Sequence, residues 1–170
     1  GSLILTVVET LHADNFTEAS LEFMFLPDYV ERYGLDHFDV SVKVFEELTI
    51  FTSCEFAVRP FIVKYPDKMM KIVEAWSRHG NEHVRRLASE GSRSRLPWAM
   101  ALPEFKKDPA PVLPVLENLK TDESEYVRRS VANNLNDIAK DNPEITLAVC
   151  EAWYGISEDT DKLVKHACRT

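Results

Sequence analysis

Glycine, proline and cysteine are scarce in this chain, and each scarcity excludes something. Only 5 glycines and 9 prolines occur in 170 residues, too few for a loop-rich or disordered chain. The 3 cysteines, Cys54, Cys150 and Cys168, are odd in number and lack CxxC spacing. They frame neither a disulfide scaffold nor a zinc site and read as the reduced thiols of a cytoplasmic protein. The apolar run from Leu3 to Val8 is far too short to span a membrane and lacks the basic start of a signal peptide. No stretch alternates apolar and polar residues convincingly, which argues against a sheet. With 45% hydrophobic residues the chain can bury one continuous core, so a single domain over 1–170 is expected. Residues 163–170 still read as helix, an expectation that the natural protein continues past them.

Positive charge is also short. A net charge of -8 opposes nucleic-acid binding, which draws on Lys and Arg. The distribution weakens that objection: residues 1–50 hold 10 acidic and 2 basic residues, whereas 51–140 hold 12 acidic and 15 basic. Arg78, Arg85, Arg86, Arg93 and Arg95 crowd into residues 78–95 against Glu82 and Glu90. The middle of the chain is suited to a phosphate-facing surface and the N-terminal third is not; an ordinary solvated face is the alternative.

What is present is repetition. His83-Val84-Arg85-Arg86-Leu87-Ala88 returns as Tyr126-Val127-Arg128-Arg129-Ser130-Val131, and more loosely as Leu163-Val164-Lys165-His166-Ala167-Cys168. The valines stand 43 and 37 residues apart. Glu74-Ala75-Trp76 returns as Glu151-Ala152-Trp153, each copy ten residues after a proline, Pro66 and Pro143. A period near forty built from two helices is that of HEAT-like repeats, so the expected fold is an all-α solenoid with a concave surface. Asn142-Pro143, Asp108-Pro109 and the capping-box spacing of Asp122 to Glu125 mark helix starts, and Gly80-Asn81 and Gly155 mark turns. Helices are expected at about 3–12, 15–32, 38–50, 53–63, 67–78, 81–92, 109–120, 123–140, 143–154 and 159–170.

On helix 81–92, Val84, Leu87, Ala88 and Gly91 follow core spacing and leave Arg86, Glu90 and Arg93 on another face. On helix 123–140, Val127, Val131, Leu135 and Ile138 face the core, and Arg129, Asn133, Asn136 and Asp137 form the polar face. Stacked repeats merge these faces into one surface of arginines and carboxylates; surface Arg–Glu pairs of a few tenths of a kcal/mol are the plainer reading. Helix 53–63 adds Glu55 with Arg59 one turn on, and Pro60 is placed to kink or end it. Trp98, after Pro97, reads either as a packing residue or as an aromatic face for a base or cation.

Taken together, Glu55-Phe56-Ala57-Val58-Arg59-Pro60-Phe61, residues 84–93, Leu96-Pro97-Trp98-Ala99 and residues 126–140 resemble the AlkC branch of the AlkC/AlkD-type DNA alkylation repair glycosylases. The resemblance runs from about Pro27 to the end of the chain, with Ser94 standing where the family pattern often has proline. It implies a HEAT-like solenoid that binds duplex DNA. It also implies hydrolysis of the N-glycosidic bond of cationic lesions such as 3-methyladenine and 3-methylcytosine, without a base-flipping pocket. By motif it assigns Glu55, Glu90, Asp137 and Trp98 to the catalytic site, with Arg86 and Arg93 completing it. Arg59, Arg86, Arg93, Arg129 and Lys140 are the expected DNA contacts. Neither metal nor organic cofactor is required, and a monomer is expected. A non-catalytic scaffold for protein partners, and a sensor of branched or damaged DNA that does not cut, are the competing functions.

Overall fold

The computed structural model describes residues 2–13 and 23–169. Their secondary structure is α-helical, with turns and no strand among the described residues, in a HEAT-like helical repeat. The elements are α1 (Ser2–Ala13), α2 (Phe25–Tyr33), α3 (Phe38–Leu48), α4 (Arg59–Lys64), α5 (Pro66–Trp76) and α6 (Glu82–Gly91). They continue with α7 (Pro103–Lys107), α8 (Leu113–Leu119), α9 (Glu125–Ala139), α10 (Pro143–Trp153) and α11 (Glu158–Ala167). Among the described residues, no helix is long and apolar enough to cross a membrane.

Most expected helices are present, and the exceptions have local causes. The expected helix over 15–32 is described only from Phe25 onward; residues 14–22 lie outside the described part. The expected helix over 53–63 is corrected to turns followed by α4. Phe56 O accepts from Arg59 N at 3.2 Å, because Pro60 has no N–H to offer it. Pro60 thus sits in the first turn of α4 instead of ending a helix. The segment expected as helix from 109 also turns first, with Val112 N on Pro109 O at 2.8 Å, and α8 starts at Leu113. The short α7 was not expected from periodicity. Asn81, expected only as a turn residue, caps α6 by accepting from His83 N at 2.8 Å. Asp122 instead serves Ser124 N and a distant arginine, and Asn142 donates to Lys106 O.

The second helices of successive repeats stack: α9 packs against α6 and against α11. Val84, Leu87, Ala88, Val127, Val131, Leu135 and Ile138 are all buried, as their spacing predicts. The first arginine of each Arg-Arg pair ties one repeat to the next. Arg85 grips Asp122 with two bonds of 2.6 and 3.0 Å, and its repeat equivalent Arg128 meets Asp159 at 3.1 Å. Buried tryptophans do the same on the first helices: Trp76 Nε1 donates to Glu46 at 2.8 Å and Trp153 Nε1 to Glu117 at 2.7 Å. These bonds fix the stacking on which the site geometry depends.

Candidate active site

With the first arginine of each pair spent between repeats, helix geometry turns the second toward another face. Arg86 on α6 reaches back to the turn before α4, where it donates to Glu55 and, at 2.9 Å, to Ser53 Oγ. Its guanidinium carbon lies 5.0 Å from the centroid of the Tyr126 ring, so the cation is held against an aromatic face. One turn along α6, Glu90 is 5% exposed and accepts from Arg93 at 2.6 Å and from Ser130 Oγ at 2.6 Å. Arg93 also donates to Asp137 at 2.8 Å, and Asp137, 2% exposed, meets Lys140 at 3.0 Å. Arg86 Nη2 lies 3.8 Å from Glu90 Oε1, so Glu55, Glu90, Asp137, Arg86, Arg93 and Lys140 form one connected chain of charges drawn from three repeats. Burial alone would lower the Arg93 pKa, but Glu90 and Asp137 outweigh it and hold the guanidinium above its ordinary value.

Trp98 is placed differently from the packing alternative. Ala99 N bonds Leu96 O at 3.3 Å, with Pro97 and Trp98 between them, and Trp98 has φ 63°. Proline followed by a left-handed residue is a type II β-turn whose third position normally carries glycine. A tryptophan there is strained, and it is 98% exposed, so neither packing nor backbone preference accounts for it.

Two expected DNA contacts take no part in these ion pairs. Arg59 is 0% exposed and donates to Met100 O at 2.6 Å and Gly91 O at 3.0 Å, so the expectation that it meets phosphate is corrected. Burial, with the nearby Arg93 charge, pushes its pKa down to about 10, while Asp137 and Glu90 oppose that shift. Arg129 is exposed on the neighbouring repeat, 3.3 Å from Glu125. It lines a separate cleft of about 230 Å³ between α9 and α11, with Arg128, Lys162 and His166 among its walls. Asn133 and Asn136 of the expected polar face serve α11, through His166 at 2.9 Å and the carbonyls of Ala167 and Arg169 at 2.9 and 2.8 Å.

Sequence reasoning missed Ser130, Asn134, Ser53 and Tyr126. A signal existed for two of them. Ser130 occupies the repeat position of Leu87, and Asn134 that of Gly91, so each is polar where its counterpart packs into the core. Both are buried and bond across the repeat, Ser130 to Glu90 and Asn134 to Ser89 O at 2.8 Å. Among the described residues, no group of three His, Cys, Asp or Glu is arranged to hold a metal ion.

A helical repeat carrying a buried carboxylate–arginine chain, with a strained, exposed tryptophan five residues after Arg93, narrows the class of protein, and comparison with known proteins defines it. The sequence profile of the DNA alkylation repair enzymes matches residues 28–154, and the chain belongs to this family. The uncharacterized protein YhaZ of Bacillus subtilis (strain 168) is 55% identical over 150 residues, 88% of this chain and 42% of that protein. The alkylpurine DNA glycosylase AlkC of Pseudomonas fluorescens, solved bound to DNA containing an abasic site analog, is 48% identical with a TM-score of 0.82. That match covers 84% of this chain and 40% of the other. AlkD2 of Streptococcus mutans is 30% identical with a TM-score of 0.57, over 83% of this chain and 63% of its own. The chain thus spans about two-fifths of the length of YhaZ and AlkC.

Proposed function

We propose that this chain hydrolyses the N-glycosidic bond of cationic alkylated bases in duplex DNA, with 3-methyladenine and 3-methylcytosine as substrates. The observation that carries this reading is the bridging of Glu90 and Asp137 by Arg93, in the segment that also lifts Trp98 into solvent. A cationic base needs no strong general acid. As its bond to C1′ breaks, the bonding pair neutralises the ring and positive charge develops on the deoxyribose. Fixed carboxylates stabilise that charge where it forms and orient a water molecule. The water oxygen bonds to C1′ and one proton passes to solvent, leaving a free neutral base and an abasic site. The logic is that of carboxylate-assisted sugar hydrolysis.

Within this reading Glu55, Glu90 and Asp137 supply the negative field, and Trp98 offers its face to the cationic base or sugar. Arg93, expected to meet phosphate, is 8% exposed and instead holds the two carboxylates in place. Arg86, Arg129 and Lys140 meet phosphates. The protein works as a monomer in the cytoplasm and uses no cofactor. The AlkC relative, bound to DNA with an abasic site analog, supports a DNA substrate.

The test is release of 3-methyladenine, 3-methylcytosine and 7-methylguanine from methylated duplex DNA. Release that collapses on Glu90→Gln or Asp137→Asn supports the reading. Salt-sensitive DNA binding without release in single turnover replaces it with a damage-sensing binder. Absence of salt-sensitive DNA binding replaces it with a scaffold for proteins.

A further inference from the structure

We infer that Arg59 is a positioning residue that holds Trp98 in its exposed, left-handed seat; this rests on the role proposed above for Trp98. Nothing packs around a side chain that is 98% exposed, and a non-glycine residue at φ 63° tends to relax toward negative φ. Its conformation must therefore be imposed by the segment on either side. Arg59 reaches both ends of that segment with one side chain. Its Nη1 donates to Gly91 O, where α6 ends, and its Nε to Met100 O, two residues past Trp98. Leu102 N to Ser94 O at 3.2 Å and the buried Leu96 and Leu102 complete the frame.

The fork is itself rigid. Arg59 opens α4 beside Pro60, and its neighbour Val58 lies directly against Gly91, where an added Cβ would approach Val58 Cγ2 to 2.7 Å. A planar guanidinium holds its two donors at a fixed separation, so it sets the distance between its two carbonyls, which a point charge does not. Since Glu90 immediately precedes one of those carbonyls, the same fork sets where Trp98 stands relative to the carboxylates. Burying a whole guanidinium is unfavourable, and Nη2 lies buried with no hydrogen-bond partner among the described residues; the bonds to Gly91 O and Met100 O give a reason for its presence.

The test uses protein labelled with 5-fluorotryptophan, in which Trp76, Trp98 and Trp153 give separate fluorine resonances and Trp98→Phe assigns one of them. In Arg59→Gln and in Arg59→Lys the Trp98 resonance is expected to shift or broaden while those of Trp76 and Trp153 hold. Lysine keeps the buried charge but reaches one carbonyl, so a shift in Arg59→Lys separates geometry from charge, and this variant carries the test if Arg59→Gln does not fold. Single-turnover base release is expected to fall about tenfold or more in either variant. Combining Arg59→Lys with Trp98→Ala is expected to lower release no further than Trp98→Ala alone. An unmoved Trp98 resonance, or losses that multiply in the double variant, overturns the inference. If Trp98→Ala releases base at the unaltered rate, the role of Trp98 fails, and the fluorine resonances still decide whether Arg59 positions it.

Discussion

Arg93 Nε donates to Asp137 Oδ2 at 2.8 Å, joining groups 44 residues apart in sequence. The same guanidinium holds Glu90 at 2.6 Å, so one cation keeps two buried carboxylates close together. Asp137→Ala is expected to lower stability on the order of 3 kcal/mol, because it leaves buried cations short of a partner. Asp137→Asn retains an acceptor and should lose less stability, while base release drops about a hundredfold through loss of the negative field. Urea unfolding and single-turnover release, measured on the same preparations, separate the two effects. Equal release by Asp137→Asn and the unaltered protein would remove Asp137 from the chemistry.

Trp98 offers a test that separates the demands of the turn from those of function. Glycine adopts the left-handed seat at φ 63° without strain and alanine does not. Trp98→Gly is therefore expected to be more stable than Trp98→Ala by about 1 kcal/mol, with both variants releasing base more slowly. Thermal melts of the two variants side by side make the comparison; the reverse order of stability would show that the turn does not control this residue.

Arg129 stands on a different repeat from the carboxylates, and phosphate contact is the role proposed for it. Arg129→Ala should weaken binding to lesion-containing and undamaged duplexes alike. The slope of log affinity against log salt should become shallower by about one. A salt titration of both duplexes reads this directly, and an unchanged slope would place Arg129 off the DNA.

Gly91 lies so close to Val58 that a methyl group at this position meets Val58 Cγ2 at 2.7 Å. Both residues are buried, so neither side gives way easily. Gly91→Ala is expected to destabilise by about 1–3 kcal/mol. Urea denaturation checks it, and a neutral result would mean that the contact between α6 and the turn before α4 is loosely packed.

Acid sensitivity has a local source in Glu117. The bond from Lys120 holds its carboxyl below the ordinary value of 4.5; partial burial opposes this and the Trp153 bond adds to it. A folded pKa below the unfolded one gives stability that is fully present above about pH 4.5 and is lost as pH falls through the folded value. The group is largely solvated, which keeps the effect under ~1 kcal/mol. The stabilities of Glu117→Gln and the unaltered protein should therefore differ at neutral pH and converge in acid; a difference that grows on acidification would reverse the assignment.

Much of the fold was legible before any coordinates. Val84, Leu87 and Ala88, then Val127, Val131 and Leu135, recur at helical spacing, and burial of apolar side chains leaves little choice about which face turns inward. The repeat itself was visible in two Arg-Arg pairs 43 residues apart. Glu55, Glu90 and Asp137 came from resemblance to a family, since periodicity placed Glu90 and Asp137 on polar faces without joining them. Ser130 and Asn134 were legible only as polar residues at positions where their repeat counterparts are apolar or glycine.

Sequence alone settled most of the helices, their inward faces and the repeat, because local propensity and 3.6-residue periodicity act within a few turns of chain. Tertiary structure decided which arginines serve the site. Arg85 and Arg128 clamp one repeat to the next, Arg86 and Arg93 hold the carboxylates, and Arg59 lies wholly inside beneath the Trp98 turn. In sequence these are basic residues on helices or beside them. Their partners on other repeats stand 31 to 44 residues away, beyond the reach of any local pattern, and only packing of one repeat on the next brings those charges together.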